Sequence, residues 1–207
     1  MKRDDLLNKA RAEIGTCEVP ANSNNVKYNT WFYGHNVSGS KYPWCMAFVS
    51  WLFKSEQSLC KKTASCVDAL SWFESKGQIV KKPEIGDIAF FKFNTNNRRA
   101  NHVGIVARLD YDGILFIEGN TSITSDDNGG KVMYRKRKDT NIVAFARPAY
   151  VESVFEKPEQ NPIDVIVDEV IAGKWGNGQV RKNKLTEAGY DYEEIRKLVN
   201  EKLRSNK

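Results

Sequence analysis

The chain has 207 residues, 41% hydrophobic and 28% charged, with four cysteines and a formal net charge of +6. This length and balance suit a soluble globular protein with one ordinary core and a small satellite domain. No stretch approaches the roughly 20 apolar residues of a membrane span, so no integral membrane segment is expected.

The start, Met1-Lys2-Arg3-Asp4-Asp5, has no apolar run of signal-peptide length after it, so the general secretory route is not expected. Cys17, Cys45, Cys60 and Cys66 are therefore expected as reduced thiols rather than a disulfide frame. The positive charge suits nucleic acid, a membrane surface or a wall rich in anionic polymers, and charge alone does not choose among them. The densest basic run, Arg135-Lys136-Arg137-Lys138, follows the strand-like Lys131-Val132-Met133-Tyr134 and reads as a solvated strand end. Nucleic acid is not the expected partner.

In chain order, Leu6, Leu7, Ala10 and Ile14 recur at helical spacing and predict a helix over 4–14, stopped by Gly15. Residues 20–29 read as a structured loop, anchored by the aromatic Trp31-Phe32-Tyr33 that follows. Pro43 suits the first turn of a new helix, and 44–54 is apolar almost all round, which predicts a central buried helix. A third helix over 66–76 places Val67, Leu70 and Phe73 on one face, with Ser65 as N-cap and Gly77 as stop. The period then turns to alternation, with strands predicted at 78–81, 87–93, 102–109, 114–118, 131–134 and 142–147. Helices followed by an antiparallel sheet imply an α+β domain with the helices packed on one sheet face.

That domain is expected to occupy 1–150, followed by a polar, proline-bearing linker at 151–161 and a second domain at 162–207. Pro162 opens a helix with an apolar stripe of Ile163, Ile166, Val167, Val170 and Ile171, ended by Gly173. A second helix is predicted over 179–188, stopped by Gly189. Asp191 caps a third, with Glu194 completing a capping box and Tyr192, Ile195, Leu198 and Val199 facing inward. The result is a small three-helix bundle near the lower size limit for independent folding.

The chemistry starts from Cys45. A thiolate is the nucleophilic form of cysteine, and the first turn of a helix favours it through unpaired amides and the helix dipole. Cys66 also lies near a predicted helix start, less clearly placed. Only two histidines exist, His35 in a Gly-His-Asn loop and His102 at the start of a strand. The next strand carries Glu118 and Asn120 two residues apart, on one sheet face, where they would orient and polarise an imidazole. A three-residue hairpin loop, 111–113, pairs Asp110 with Ile114, and a five-residue loop, 108–112, sets His102 opposite Glu118. Either register gathers His102, Glu118 and Asn120 on one face, whereas a two-residue Asp112-Gly113 turn would send Glu118 to the other.

The segments Trp44-Cys45-Met46-Ala47-Phe48-Val49, Gly86-Asp87-Ile88-Ala89-Phe90-Phe91, Asn101-His102-Val103-Gly104 and Ile117-Glu118-Gly119-Asn120 occur in order. Together they resemble a CHAP domain, a cysteine- and histidine-dependent amidohydrolase/peptidase with a papain-like core, over about 1–150. The resemblance implies Cys45 as nucleophile, His102 as general base and acid, Glu118 as the residue orienting His102, and Asn120 as an auxiliary polar group. Trp44 and Trp72 are candidates to line a substrate groove. No Cys or His pairs have zinc-ligand spacing. Some CHAP domains bind calcium before the nucleophile, but Asn22, Asn24 and Asn25 stand here instead of a run of aspartates, so no metal or cofactor is expected.

Residues 163–203, especially Glu169-Val170-Ile171-Ala172-Gly173-Lys174-Trp175-Gly176-Asn177-Gly178 and Leu185-Thr186-Glu187-Ala188-Gly189-Tyr190-Asp191-Tyr192, resemble the three-helix wall-binding repeat of some phage lysozymes. The resemblance implies binding to peptidoglycan, with Trp175 or a tyrosine stacking on sugar and Asn177, Arg181 and Asp191 supplying polar contacts. A lone copy would gain avidity from homo-oligomerisation through this domain. The combination resembles a phage endolysin that accumulates in the cytoplasm of the producing cell and reaches the wall after membrane permeabilisation. The leading reaction is N-acetylmuramoyl-L-alanine amidase, with stem or cross-bridge endopeptidase as the alternative and a non-catalytic wall-binding protein as the other class.

Overall fold

A computed structural model describes residues 1–93, 99–110, 113–137, 139–151, 162–187 and 190–205. The chain divides into two compact units, Met1–Glu152 and Ser153–Lys207. The linker expected at 151–161 falls, Val151 apart, outside the described residues, as does Gly189.

The first unit is α+β. Four helices, α1 (Arg3–Ala12), α2 (Lys27–Tyr33), α3 (Cys45–Leu52) and α4 (Cys66–Ser75), precede six strands, β1 (Ile79–Val80), β2 (Ile88–Phe91), β3 (His102–Asp110), β4 (Gly113–Thr121), β5 (Lys131–Arg137) and β6 (Ile142–Ala146). The strands form one antiparallel sheet in the order β1-β6-β2-β3-β4-β5. Because α3 is apolar on every side, it is buried through most of its length, and Phe48 and Val49 pack in one core with Phe90, Val103, Ile105 and Ile117 of the sheet. Burial of each such large side chain contributes about 1.5–3 kcal/mol. The other sheet face carries a smaller cluster of Ala89, Phe91, Val106, Ile114 and Phe116, flanked by Phe93.

Three elements differ from the sequence expectation. The segment read as an aromatic loop contains α2, whose end is set by Gly34 in the left-handed conformation at φ 79°. Trp44, not Pro43, precedes the first helical residue, so Cys45 opens α3. β5 runs on through Arg135 and Lys136 to Arg137, and Arg137 is buried, so the reading of this basic segment as a solvated strand end fails at Arg137.

The β3–β4 register is also reached by a different route. Asp110 pairs with Gly113 and Leu109 with Ile114, the alignment that by itself would turn Glu118 to the wrong face. A β-bulge at Ala107 then adds one residue to β3, and beyond it Val106 pairs with Phe116 and Gly104 with Glu118. The bulge restores His102, Gly104 and Glu118 to one face.

The second unit consists of α5 (Pro162–Ile171), α6 (Gly178–Glu187) and α7 (Tyr192–Ser205). Ile166, Val167, Val170, Leu185, Ile195 and Val199 form its core, with Tyr192 and Leu198 partly buried against it. Asp191 Oδ1 accepts the amides of Glu193 and Glu194 at 2.8 and 3.0 Å, as an N-cap should. Among the described residues no helix is long and apolar enough to cross a membrane.

Candidate active site

Cys45 is the first residue of α3, beside amides that have no partner within the helix. Its Sγ lies 4.0 Å from the Asn101 carbonyl oxygen, which sets the start of α3 against the start of β3. His102 opens β3, fully buried, with its ring against Phe91 and Phe93 at centroid distances of 5.9 and 5.6 Å. Its Nε2 is 2.9 Å from Glu118 Oε2, leaving Nδ1, which has no hydrogen bond of normal geometry, for Cys45. A Cβ on Gly104 would sit 2.7 Å from Glu118 Cγ, so glycine is what lets the Glu118 side chain lean over β3 toward His102.

Glu118 is held from its other side by Arg137. Nε donates to Oε1 at 2.9 Å and Nη2 to Oε2 at 2.6 Å, a bidentate clamp between two buried side chains. The guanidinium also bonds to Asp126 and lies 4.4 Å from the Phe93 ring centroid. Sequence reasoning missed this residue. The signal was the period of two along β5, which puts Met133, Arg135 and Arg137 on the face of Glu118, since Met133 pairs with Glu118.

These contacts order the charges. The Cys45 thiol is pulled below its ordinary value, first by a hydrogen bond with Cys66 and then, against the effect of burial, by the hydrogen bond and charge of His102. Burial works against charge on His102, but Cys45 and Glu118 outweigh it and the imidazole is pushed up. Burial likewise opposes the Glu118 carboxylate, and Arg137 followed by His102 brings it below the usual range. At neutral pH the row reads thiolate, imidazolium, carboxylate, guanidinium, each group beside its opposite.

Asn120 is buried in a left-handed conformation at φ 58°, and its Nδ2 donates to the Asp127 carbonyl at 3.3 Å rather than to the histidine. Asn101 Nδ2 holds the Asp127 carboxylate at 2.6 Å, so both asparagines tie down the loop beside the site. Trp44 does not line a groove. Its ring is fully buried against Tyr28, and its indole N–H donates to Glu18 at 2.8 Å. Trp72 is half-buried, packed on the core beside Phe73. In the segment considered for calcium, Asn22 and Asn24 take left-handed turns and Asn24 Nδ2 donates to the Gly39 carbonyl.

In the second unit, Arg181 Nε bonds to the Gly176 carbonyl and Nη2 to Asn177 Oδ1, each at 2.8 Å. Arg181 also lines a hollow of about 170 Å³ with Arg196 and Asn200, whose wall does not include Trp175, Asn177 or Asp191. Trp175 is edge-on to Tyr190 and donates its indole N–H to Glu169 at 3.0 Å.

The family comparisons agree with this division. Residues 37–120 match the CHAP domain and residues 164–203 match the CW_7 repeat. No curated protein matches. Among solved structures, that of Ly7917 is similar with 15% identity and a TM-score of 0.46, over 72% of this chain and 62% of that one. A second, of Ly7917 with the hydrolyzing product of MDP, has 16% identity and a TM-score of 0.45 over 71% and 63%. The wild-type endolysin LysIME-EF1 gives 13%, a TM-score of 0.48, and coverage of 72% and 65%. The chain thus spans less than two thirds of the length of these solved chains. Its first unit carries a CHAP domain, and its second carries a CW_7 repeat.

Proposed function

We propose that this chain is a peptidoglycan hydrolase of the endolysin kind, cutting an amide by cysteine–histidine catalysis while the CW_7 repeat holds the wall. The observation that carries this reading is the buried row Cys45, His102 and Glu118 in a chain that also bears the repeat. The Cys45 thiolate attacks the amide carbonyl carbon, and the resulting oxyanion is stabilised by the Cys45 backbone N–H at the helix start. His102 gives its proton to the leaving nitrogen, which departs as the amine and leaves a thioester on Cys45. A water then loses a proton to His102 as it attacks the thioester, releasing the carboxylic acid and the thiolate. Glu118 keeps its hydrogen bond to Nε2 throughout and stabilises the imidazolium.

The bond assigned is that between N-acetylmuramic acid and L-alanine. In this reading the protein is made in the cytoplasm of the producing cell and meets the wall once the membrane is permeabilised. Trp175, Asn177, Arg181 and Asp191 remain the proposed wall contacts, with self-association adding avidity. Mass spectrometry of digested peptidoglycan tests the bond. New N-terminal alanine on stem peptides with glycan strands freed of peptide supports amidase action, whereas new termini within the stem or cross-bridge replace it with endopeptidase action.

A further inference from the structure

Cys66 opens α4 as Cys45 opens α3, and the two sulfurs are 3.7 Å apart, both in buried residues. This approach is built by the surrounding contacts. Ser50 of α3 donates to the Thr63 carbonyl at 2.7 Å and accepts the Thr63 amide at 3.1 Å, fastening the segment before α4 to the nucleophile's own helix. Ser65 then caps α4 by accepting the Asp68 amide at 3.2 Å, and Lys61 pairs with Asp68 at 2.7 Å. These contacts hold the start of α4 beside α3, and Cys66 with it.

Two thiolates at this distance in a buried site repel strongly, so the pair keeps one proton between them. His102 faces Cys45 and supplies the countercharge, which places the negative charge on Cys45 and the proton on Cys66. The titratable groups around Cys45 are His102 from β3 and Cys66 from α4, with Glu118 and Arg137 acting through His102. Resting on the nucleophile reading above, we propose that Cys66 is a positioning residue whose S–H donates to Cys45 Sγ, holding the sulfur as a thiolate aligned for attack. The lowered Cys45 titration, whose largest cause is this hydrogen bond, is consistent with that role.

The test measures carbamidomethylation of Cys45 by iodoacetamide against pH, in the full chain and its Cys66→Ser and Cys66→Ala variants, by mass of the peptide carrying Cys45. Losing a donor to a charged sulfur should move the Cys66→Ala midpoint up by about one to two pH units. Cys66→Ser keeps a donor and should stay closer to the parent. An unmoved midpoint in Cys66→Ala overturns the proposal, and so does an equal shift in both variants, which would make Cys66 a packing residue only. The measurement needs no wall substrate. If Cys45→Ala still cleaves peptidoglycan, the nucleophile reading fails separately, whatever the alkylation midpoints show.

Discussion

Replacing Arg137 with methionine keeps an unbranched side chain in the strand but leaves the fully buried Glu118 carboxylate, among the described residues, with His102 as its charged partner. Removing one side of a buried ion pair costs about 3–5 kcal/mol. The lower end applies here, because His102 still donates to Glu118 and because Asp126, the second partner of Arg137, is half exposed and its pairing contributes little. About 3 kcal/mol in a unit of this size lowers Tm by roughly 6–12 °C. With Arg137 gone, burial no longer meets its largest opposing influence, so the Glu118 carboxyl titrates higher; its protonation removes the counter-ion of the His102 imidazolium, and the acid limb that Cys45 sets in the parent moves to higher pH. Thermal melting and a pH–rate profile read both effects. The double variant Glu118→Gln/Arg137→Met removes the stranded charge and should melt above Arg137→Met alone. A single variant that melts within about 2 °C of the parent with an unmoved acid limb refutes the clamp.

If the proposed chemistry holds, the parent chain should show a bell-shaped pH profile. Rate rises with pH as Cys45, lowered to about 5, becomes thiolate, and falls as His102, raised to about 9, loses its proton, the two limbs belonging to the pair. A single rise near the ordinary thiol value would contradict the ion pair. Gly104→Ala introduces a methyl 2.7 Å from Glu118 Cγ, so kcat should drop about tenfold or more while KM holds; parent-like kcat counts against the close approach. Trp44→Phe strands Glu18 without its indole donor and should cost about 1–3 kcal/mol in melting with KM unchanged, whereas a raised KM would return Trp44 to the substrate groove.

How far the sequence reached depends on the range of the interactions. Local periodicity located α1, α3 and α4 and most strands, and the first-turn placement of Cys45 followed from its neighbours. The gathering of His102 and Glu118 on one face was anticipated, but from a uniform register. The real hairpin starts out of register and is corrected by a bulge at Ala107, which a simple count of loop residues does not encode. Arg137 was lost because charge was read as solvent exposure, when burial beside a carboxylate inverts that meaning. Cys66 was noticed only as a helix start, since its nearness to Cys45 depends on the Ser50 to Thr63 contacts between separate segments. Trp44 illustrates the opposite case, a residue beside Cys45 in sequence whose ring is buried in the core.

The most direct measurement compares the parent with Cys45→Ala on purified peptidoglycan, following release of new termini alongside pelleting of the protein with intact walls. Cleavage should fall by at least about a thousandfold while wall binding through the second unit is kept. Cleavage at the parent rate by the alanine variant would remove Cys45 from the chemistry and contradict the proposed mechanism.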